Sequence, residues 1–171
     1  MTMADLLAAY PGAQRALFRA YHIGGCASCG FRPDETLAEV CQRNGGLDPA
    51  EVLETVRAAW EQDQAMLMSP ADLKTHLDAG TAEVLDIRTA EEREAVHIAG
   101  TRHFNQALMQ EILSSWPKDR LLVIVDHTGS RALDAAAYFA GHGFTNVKCL
   151  RGGIDAWSQE IDPSLPRYTL E

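Results

Sequence analysis

The sequence contains few cysteines and fewer basic than acidic side chains. Only four of the 171 residues are cysteine, so a disulfide scaffold of the secreted type is not expected, and the thiols are predicted to be reduced, metal-bound or redox-active. The 15 lysines and arginines are outnumbered by 24 aspartates and glutamates, which gives a formal charge of −9. This excess of negative charge disfavours non-specific binding to nucleic acid or to an anionic membrane surface.

Long apolar runs are also missing. None approaches the ~20 residues that a membrane-spanning helix requires. The N-terminal stretch MTMADLLAAYPGAQ has neither the basic region nor the apolar core of a secretory signal. We therefore expect a cytoplasmic protein with no membrane partner. An apolar fraction of 46% and a charged fraction of 23% are typical of a globular protein, and the length suffices for one large or two small domains.

The first third of the chain has the pattern of a small helical bundle. Start signals at Thr2 and Asp48, with breaks at Pro11, Gly24 and Asn44, predict four helices. From Ser69 onward, helical and strand patterns alternate, which is typical of parallel strands joined by helical crossovers. Three strands are predicted, at residues 84–87, 121–125 and 147–150. The sequence thus predicts a small all-α domain at 1–66, an α/β domain with a central parallel sheet at 69–165, and a tail at 166–171.

The α/β part resembles the rhodanese family in three separated motifs. VLDIRTAEEREAVHIAGTRHF is similar to the family's entry signature, LRGGIDAW to its closing motif, and DHTGSR occupies the position of its active-site loop, which runs from a cysteine to an arginine. The resemblance implies a rhodanese-like fold and a loop formed by Asp126, His127, Thr128, Gly129, Ser130 and Arg131. It also implies that Asp86 and Arg88 form a structural ion pair or brace the loop.

Asp126 occupies the position at which rhodaneses carry their nucleophile. In the family a cysteine thiolate, stabilised by inward-pointing backbone N–H groups, takes up a sulfane sulfur as a persulfide. A carboxylate cannot become a persulfide, so the family's defining chemistry is missing at this position. Asp126 is expected to accept the loop's N–H groups itself and to rigidify the loop. A rhodanese-derived hydrolase that uses Asp126 as its nucleophile is the weaker alternative.

Three further residues have structural interpretations. His97 is expected to stabilise a turn, and His127 is expected to be a solvated loop residue. Cys149 lies in a strand predicted to be buried on both faces, where a free cysteine behaves as a small hydrophobic residue.

A Cys-x-x-Cys motif lies in the helical part. The stretch YHIGGCASCGFRPDETLAEVCQRNGGLDPAEVLETV resembles the small helical domain found near hybrid-cluster proteins, which is described as a redox-disulfide domain. Cys26 and Cys29 are spaced to close a short disulfide or to share a metal, and in a cytosolic chain such a pair favours redox work or metal binding. A zinc or iron–sulfur site made by His22, Cys26, Cys29 and Cys41 stays open, as does a purely structural pair. Cys41 also fits a core position, because it lies on the apolar stripe of its helix.

These residues favour sulfur or redox handling by Cys26 and Cys29. On this hypothesis the rhodanese-like domain has lost its own nucleophile and binds a protein or a small sulfur compound without turning it over, and no cofactor is expected. The rival hypothesis is a non-enzymatic binding module whose cysteines hold zinc or an iron–sulfur centre. The sequence leaves the oligomeric state open.

Overall fold

The computed structural model describes residues 1–24, 30–129 and 131–169. The chain divides into two compact units, Met1–Ala65 and Met66–Glu171. None of the described helices is both long and apolar enough to cross a bilayer.

The first unit is helical. Its described elements are α1 (Met3–Ala9), α2 (Ala13–Tyr21), α3 (Leu37–Arg43) and α4 (Pro49–Ala65). Thr2 and Thr36 cap α1 and α3, because each hydroxyl accepts the N–H of the third helical residue while that residue's carboxylate accepts the N–H of the cap. The apolar faces enclose one core, which includes Leu6, Leu17, Ile23, Val40 and Val56. The four predicted helices are confirmed.

The second unit alternates strands and helices. Its described elements are β1 (Leu67–Met68), α5 (Pro70–Ala79), β2 (Glu83–Asp86), α6 (Ala90–Ala95), β3 (Arg102–His103), α7 (Gln106–Ser115), β4 (Leu122–Val125), α8 (Ala132–Gly141), β5 (Val147–Leu150) and α9 (Gly153–Glu160). Within the described residues, five strands form one parallel sheet in the order β1-β5-β4-β2-β3. The predicted parallel sheet is confirmed, and the sequence analysis missed the two short edge strands β1 and β3.

The central strands are buried on both faces. Leu85, Ile124 and Cys149 pack in a cluster with side chains of α7 and α8, whereas Val84 and Val123 pack in a second cluster with side chains of α5 and α9. The alternation follows from the two-residue period of a strand. β2 and β4 pair in register, so the residues at their carboxyl ends lie at the same edge of the sheet, which is where α/β proteins place their sites.

Candidate functional site

Asp126 directly follows β4 and is only 2% exposed. One of its carboxylate oxygens accepts the Gly129 N–H at 2.6 Å. The other accepts the N–H groups of Arg131 and Ala132 at 2.7 and 3.0 Å. These two N–H groups belong to the start of α8, where donors lack partners within the helix. The carboxylate therefore occupies the anion cradle that the loop and the helix N-terminus create, as expected from the sequence.

The loop backbone is held from its other side by the start of α9. The Ile154 N–H donates to the carbonyl oxygen of Asp126 at 2.9 Å, and the Asp155 N–H donates to that of His127 at 3.1 Å. Gly153, with a φ of +62°, permits this approach because it has no Cβ. Two helix N-termini thus fix the loop, one through the carboxylate of Asp126 and one through backbone carbonyls.

Asp86 and Arg88 form a buried, bidentate ion pair at the end of β2. Arg88 Nε donates to Asp86 Oδ1 at 3.0 Å and Nη2 donates to Oδ2 at 2.7 Å, and both side chains are 2% exposed. Arg93 donates a further hydrogen bond to Oδ2 at 3.1 Å. Burial acts to raise the pKa of Asp86, but the hydrogen bonds from Arg88 outweigh it and the pKa lies below its ordinary value. The pair is therefore ionised at neutral pH.

His127 is not the solvated residue that the sequence analysis predicted. Its ring stacks on the ring of Tyr168, with the centroids 4.1 Å apart and the planes 14° from parallel. Its Nε2 lies 2.8 Å from the carbonyl oxygen of Tyr168, and because a carbonyl only accepts, Nε2 carries the proton. The prediction was wrong because the partner lies 41 residues further along the chain, in the stretch assigned to a tail.

Tyr168 also contacts the ion pair at the end of β2. Its hydroxyl donates to Glu92 Oε2 at 2.6 Å and accepts from Arg88 Nη1 at 3.0 Å. Burial and the hydrogen bond to Glu92 raise the pKa of Tyr168 to about 12. Sequence reasoning missed both residues. Tyr168 lies outside the three motifs, and Glu92 lies within the entry signature but at none of the positions to which a role was assigned.

A cavity of about 50 Å³ remains beside Asp126. Its lining includes Arg88, Glu92, Asp126, His127, Thr128 and Arg131. This volume has room for a few water molecules but not for a larger ligand. Of the loop residues predicted from the sequence, Ser130 lies outside the described residues, and the other five lie together around the carboxylate.

His97 and Cys149 have the local surroundings predicted for them. His97 Nδ1 lies 3.0 Å from the carbonyl oxygen of Arg93, at the end of α6. Cys149 is fully buried in β5.

The thiol sites of the first unit are described only in part. Cys26 and Cys29 lie outside the described residues. Cys41 is a fully buried free thiol, and its pKa is raised mainly by burial, with a smaller contribution from the charge of Asp48. His22 is exposed at the end of α2, with a left-handed φ of 58°.

The alternative metal set of His22, Cys26, Cys29 and Cys41 is not tested by this geometry, since two of its members are outside the described residues. In residues 1–24, 30–129 and 131–169, no group of three or more histidine, cysteine, aspartate or glutamate side chains is arranged to hold a metal ion.

Comparison with known proteins agrees with this architecture. Residues 69–160 match the family model described as "Rhodanese-like domain", which is more than half of the 171 residues. The chain belongs to the rhodanese-like family.

Two curated relatives are named as sulfurtransferases. The rhodanese-like chain is 33% identical to the probable adenylyltransferase/sulfurtransferase MoeZ of Mycobacterium tuberculosis over 104 residues, which are 59% of this chain and 26% of MoeZ. It is 36% identical to the thiosulfate sulfurtransferase GlpE of Pseudomonas aeruginosa over 76 residues, which are 44% of this chain and 69% of GlpE. The chain thus spans about a quarter of the length of MoeZ.

Two solved structures are also similar. A rhodanese-like domain protein from Staphylococcus aureus has a TM-score of 0.47 at 24% identity, covering 60% of this chain and 98% of that one. The human single-domain sulfurtransferase TSTD1 has a TM-score of 0.49 at 22% identity, covering 56% of this chain and 96% of that one. Both scores are below 0.5, so the family assignment depends on the sequence match.

Proposed function

We propose that this rhodanese-like protein handles sulfur or redox equivalents through Cys26 and Cys29, while its rhodanese-like unit binds a protein or a small sulfur compound without turning it over. Binding without turnover is supported by the Asp126 carboxylate, which accepts hydrogen bonds from three backbone N–H groups. In the family this position holds the cysteine that carries the sulfane sulfur. A carboxylate offers no sulfur atom with which a persulfide could form.

Because Asp126 already accepts the N–H groups of the cradle, binding of an anionic sulfur donor there is disfavoured. Thiosulfate would have to compete for N–H groups that are already bonded at 2.6–3.0 Å, and it would meet the charge of the carboxylate itself. The unit is therefore proposed to bind its partner beside the loop rather than to take sulfur from it.

The proposed role of Cys26 and Cys29 is supported by the burial of the other two cysteines. Cys41 and Cys149 are fully buried, and burial in apolar surroundings makes a thiol inert. Cys26 and Cys29, spaced as a Cys-x-x-Cys pair, are left as the groups for sulfur or redox chemistry. MoeZ and GlpE are named as sulfurtransferases, which makes sulfur the first class of chemistry to test.

A sulfurtransferase assay tests the degenerate site. With thiosulfate as donor and cyanide as acceptor, the native chain should show negligible turnover. The matched control is the double variant Cys26→Ser, Cys29→Ser, which separates any activity of the dithiol from activity at the Asp126 loop. Robust turnover that persists in the double variant would show that the loop is catalytically competent and would overturn the proposal.

Thiol counting on anaerobically purified protein tests the dithiol. Two thiols should disappear on mild oxidation, return on reduction and be absent from the double serine variant. Cys41 and Cys149 should react only after unfolding. Stoichiometric zinc or iron that is lost in the double variant would instead favour the metal-binding alternative, and unchanged thiol numbers after oxidation would favour a structural pair.

A further inference from the structure

The segment 163–169, the strap, passes beside the Asp126 loop without regular secondary structure. Five of its seven residues are exposed, and only Leu165 and Tyr168 are partly buried. These two side chains pack against the apolar cluster that also contains Ile154 and Trp157 of α9. The strap is therefore attached to the surface of the rhodanese-like unit by a few side chains and forms no part of the sheet.

Three strap residues provide polar contacts to the rest of the unit. Ser158 Oγ of α9 donates to the carbonyl oxygen of Leu165 at 2.5 Å. Arg167 donates to both carboxylate oxygens of Asp155, at 2.8 and 3.1 Å. Tyr168 stacks on the ring of His127, accepts its Nε2–H through the backbone carbonyl, and places its hydroxyl between Glu92 and Arg88. The strap is thus fixed to α9 by Leu165 and Arg167, and Tyr168 fixes it to the loop, to Arg88 after β2 and to α6.

The contacts of Tyr168 coincide with the cavity beside Asp126. Arg88, Glu92 and His127 all line that cavity, and all three contact Tyr168. The tyrosine therefore lies across the residues through which a ligand would approach the carboxylate. About 50 Å³ remains there, so a ligand larger than a few water molecules needs the cavity to widen. Release of Tyr168 would free three of the side chains that line it.

We propose that the strap is a releasable lid on the Asp126 loop, with Tyr168 as its latch, and that a partner binds at the loop only after the strap has opened. This inference rests on the proposed function, since it concerns access to the same site. The anchors suit reversible opening, because hydrogen bonds and an exposed ion pair are exchanged for bonds to water. A segment with few buried apolar contacts opens without unfolding the unit beneath it.

A reporter thiol tests the lid. In a chain carrying Asp126→Cys, Cys26→Ser and Cys29→Ser, the introduced thiol is the one that a maleimide should reach while Cys41 and Cys149 remain buried. Adding Tyr168→Ala should accelerate its modification about tenfold or more, because the latch is removed. The matched control is Tyr138→Ala, which removes a tyrosine whose ring contacts the ring of His142, with centroids 4.3 Å apart and planes tilted by 39°. Equal rates with and without Tyr168→Ala would overturn the lid.

A second measurement uses chains in which Asp126 is unchanged. Trypsin cleavage of the bond after Arg167, followed by mass spectrometry, reports strap opening directly. His127→Ala should speed this cleavage, whereas His142→Ala, which removes a histidine in ring contact with Tyr138, should not. Equal cleavage in the two variants would contradict the latch. Neither readout requires sulfurtransferase or redox activity, so failure of the proposed function and failure of the lid are distinguishable.

Discussion

Gly153 and His127 approach so closely that a Cβ atom on residue 153 would lie 2.4 Å from the carbonyl oxygen of His127. The same carbonyl accepts the N–H of Asp155, so it cannot move away without losing its hydrogen bond. The closing motif LRGGIDAW and the loop motif DHTGSR thus pack directly against each other. Gly153 is needed at their point of contact because a larger residue would collide with the loop backbone.

Gly153→Ala should therefore lower the free energy of unfolding of the rhodanese-like unit by more than the strain of a left-handed backbone alone would. Gly80→Ala is the matched control, because Gly80 has a φ of +67° and no atom within 4 Å of a Cβ built on it. We expect the free energy of unfolding in urea to fall by about 1–2 kcal/mol for Gly80→Ala, from left-handed strain alone, and by about 2–4 kcal/mol for Gly153→Ala, where the collision adds to it. Equal losses would mean that the contact is easily relieved.

Asp126 is predicted to be a structural residue of its loop. Asp126→Ala leaves the N–H groups of Gly129, Arg131 and Ala132 without their acceptor, and water can enter to replace it only in part. We expect a loss of about 2–4 kcal/mol in urea unfolding, since an unsatisfied buried donor costs about 1–3 kcal/mol. Asp119→Ala, at an exposed position, should change stability by less than about 0.5 kcal/mol. A stability loss no larger than that of the control would show that the carboxylate is not structural.

The Asp86–Arg88 pair gives a prediction with a pH dependence. Asp86→Asn leaves buried arginine charge unpaired and should cost about 3–5 kcal/mol, whereas Asp78→Asn, which removes an exposed pair with Lys74, should cost less than about 1 kcal/mol. Because the pKa of Asp86 is lowered in the folded protein, its contribution is present above the ordinary value of 3.8 and is lost as the pH falls through the folded pKa. The difference between the native chain and Asp86→Asn in urea unfolding should therefore narrow in acid, and a constant difference would contradict this account.

Much of the fold follows from local sequence signals. Capping residues such as Thr2 and Ser69 predict helix starts correctly, since a capping hydrogen bond joins residues three positions apart. The strand at Val147–Leu150 was predicted because a short apolar run between turn signals has few other interpretations. β1 and β3 were missed because each has two residues, too few to show a period.

The site was predictable only where its contacts are local or belong to a motif. The bonds from Gly129 and Arg131 to Asp126 span three and five residues, and they follow from a tight loop before a helix. The contacts of Tyr168 span 41 residues to His127 and 76 to Glu92. No pattern in the sequence pairs such residues, because their meeting depends on the path of the whole chain around the sheet.

The latch tyrosine should be identifiable by its titration. The pKa of Tyr168 is raised to about 12 by burial and by the hydrogen bond to Glu92, so the contacts of its phenol stabilise the closed strap fully below pH 10 and are lost as the pH rises toward 12. Ultraviolet absorbance of tyrosinate should show a late phase that is absent from Tyr168→Phe and retained in Tyr138→Phe, with circular dichroism monitoring the fold.

Glu92→Gln tests the cause of that late phase. Without the carboxylate, the ionised phenol no longer faces a negative charge, and the charge of Arg88 still favours it. The late phase should therefore move part of the way toward the ordinary pKa of a tyrosine, about 10, because burial, the larger cause, remains. If the phase does not move at all in Glu92→Gln, or survives Tyr168→Phe, then the hydroxyl of Tyr168 is not held between Glu92 and Arg88 in solution, and the latch is not closed in the way the structure describes.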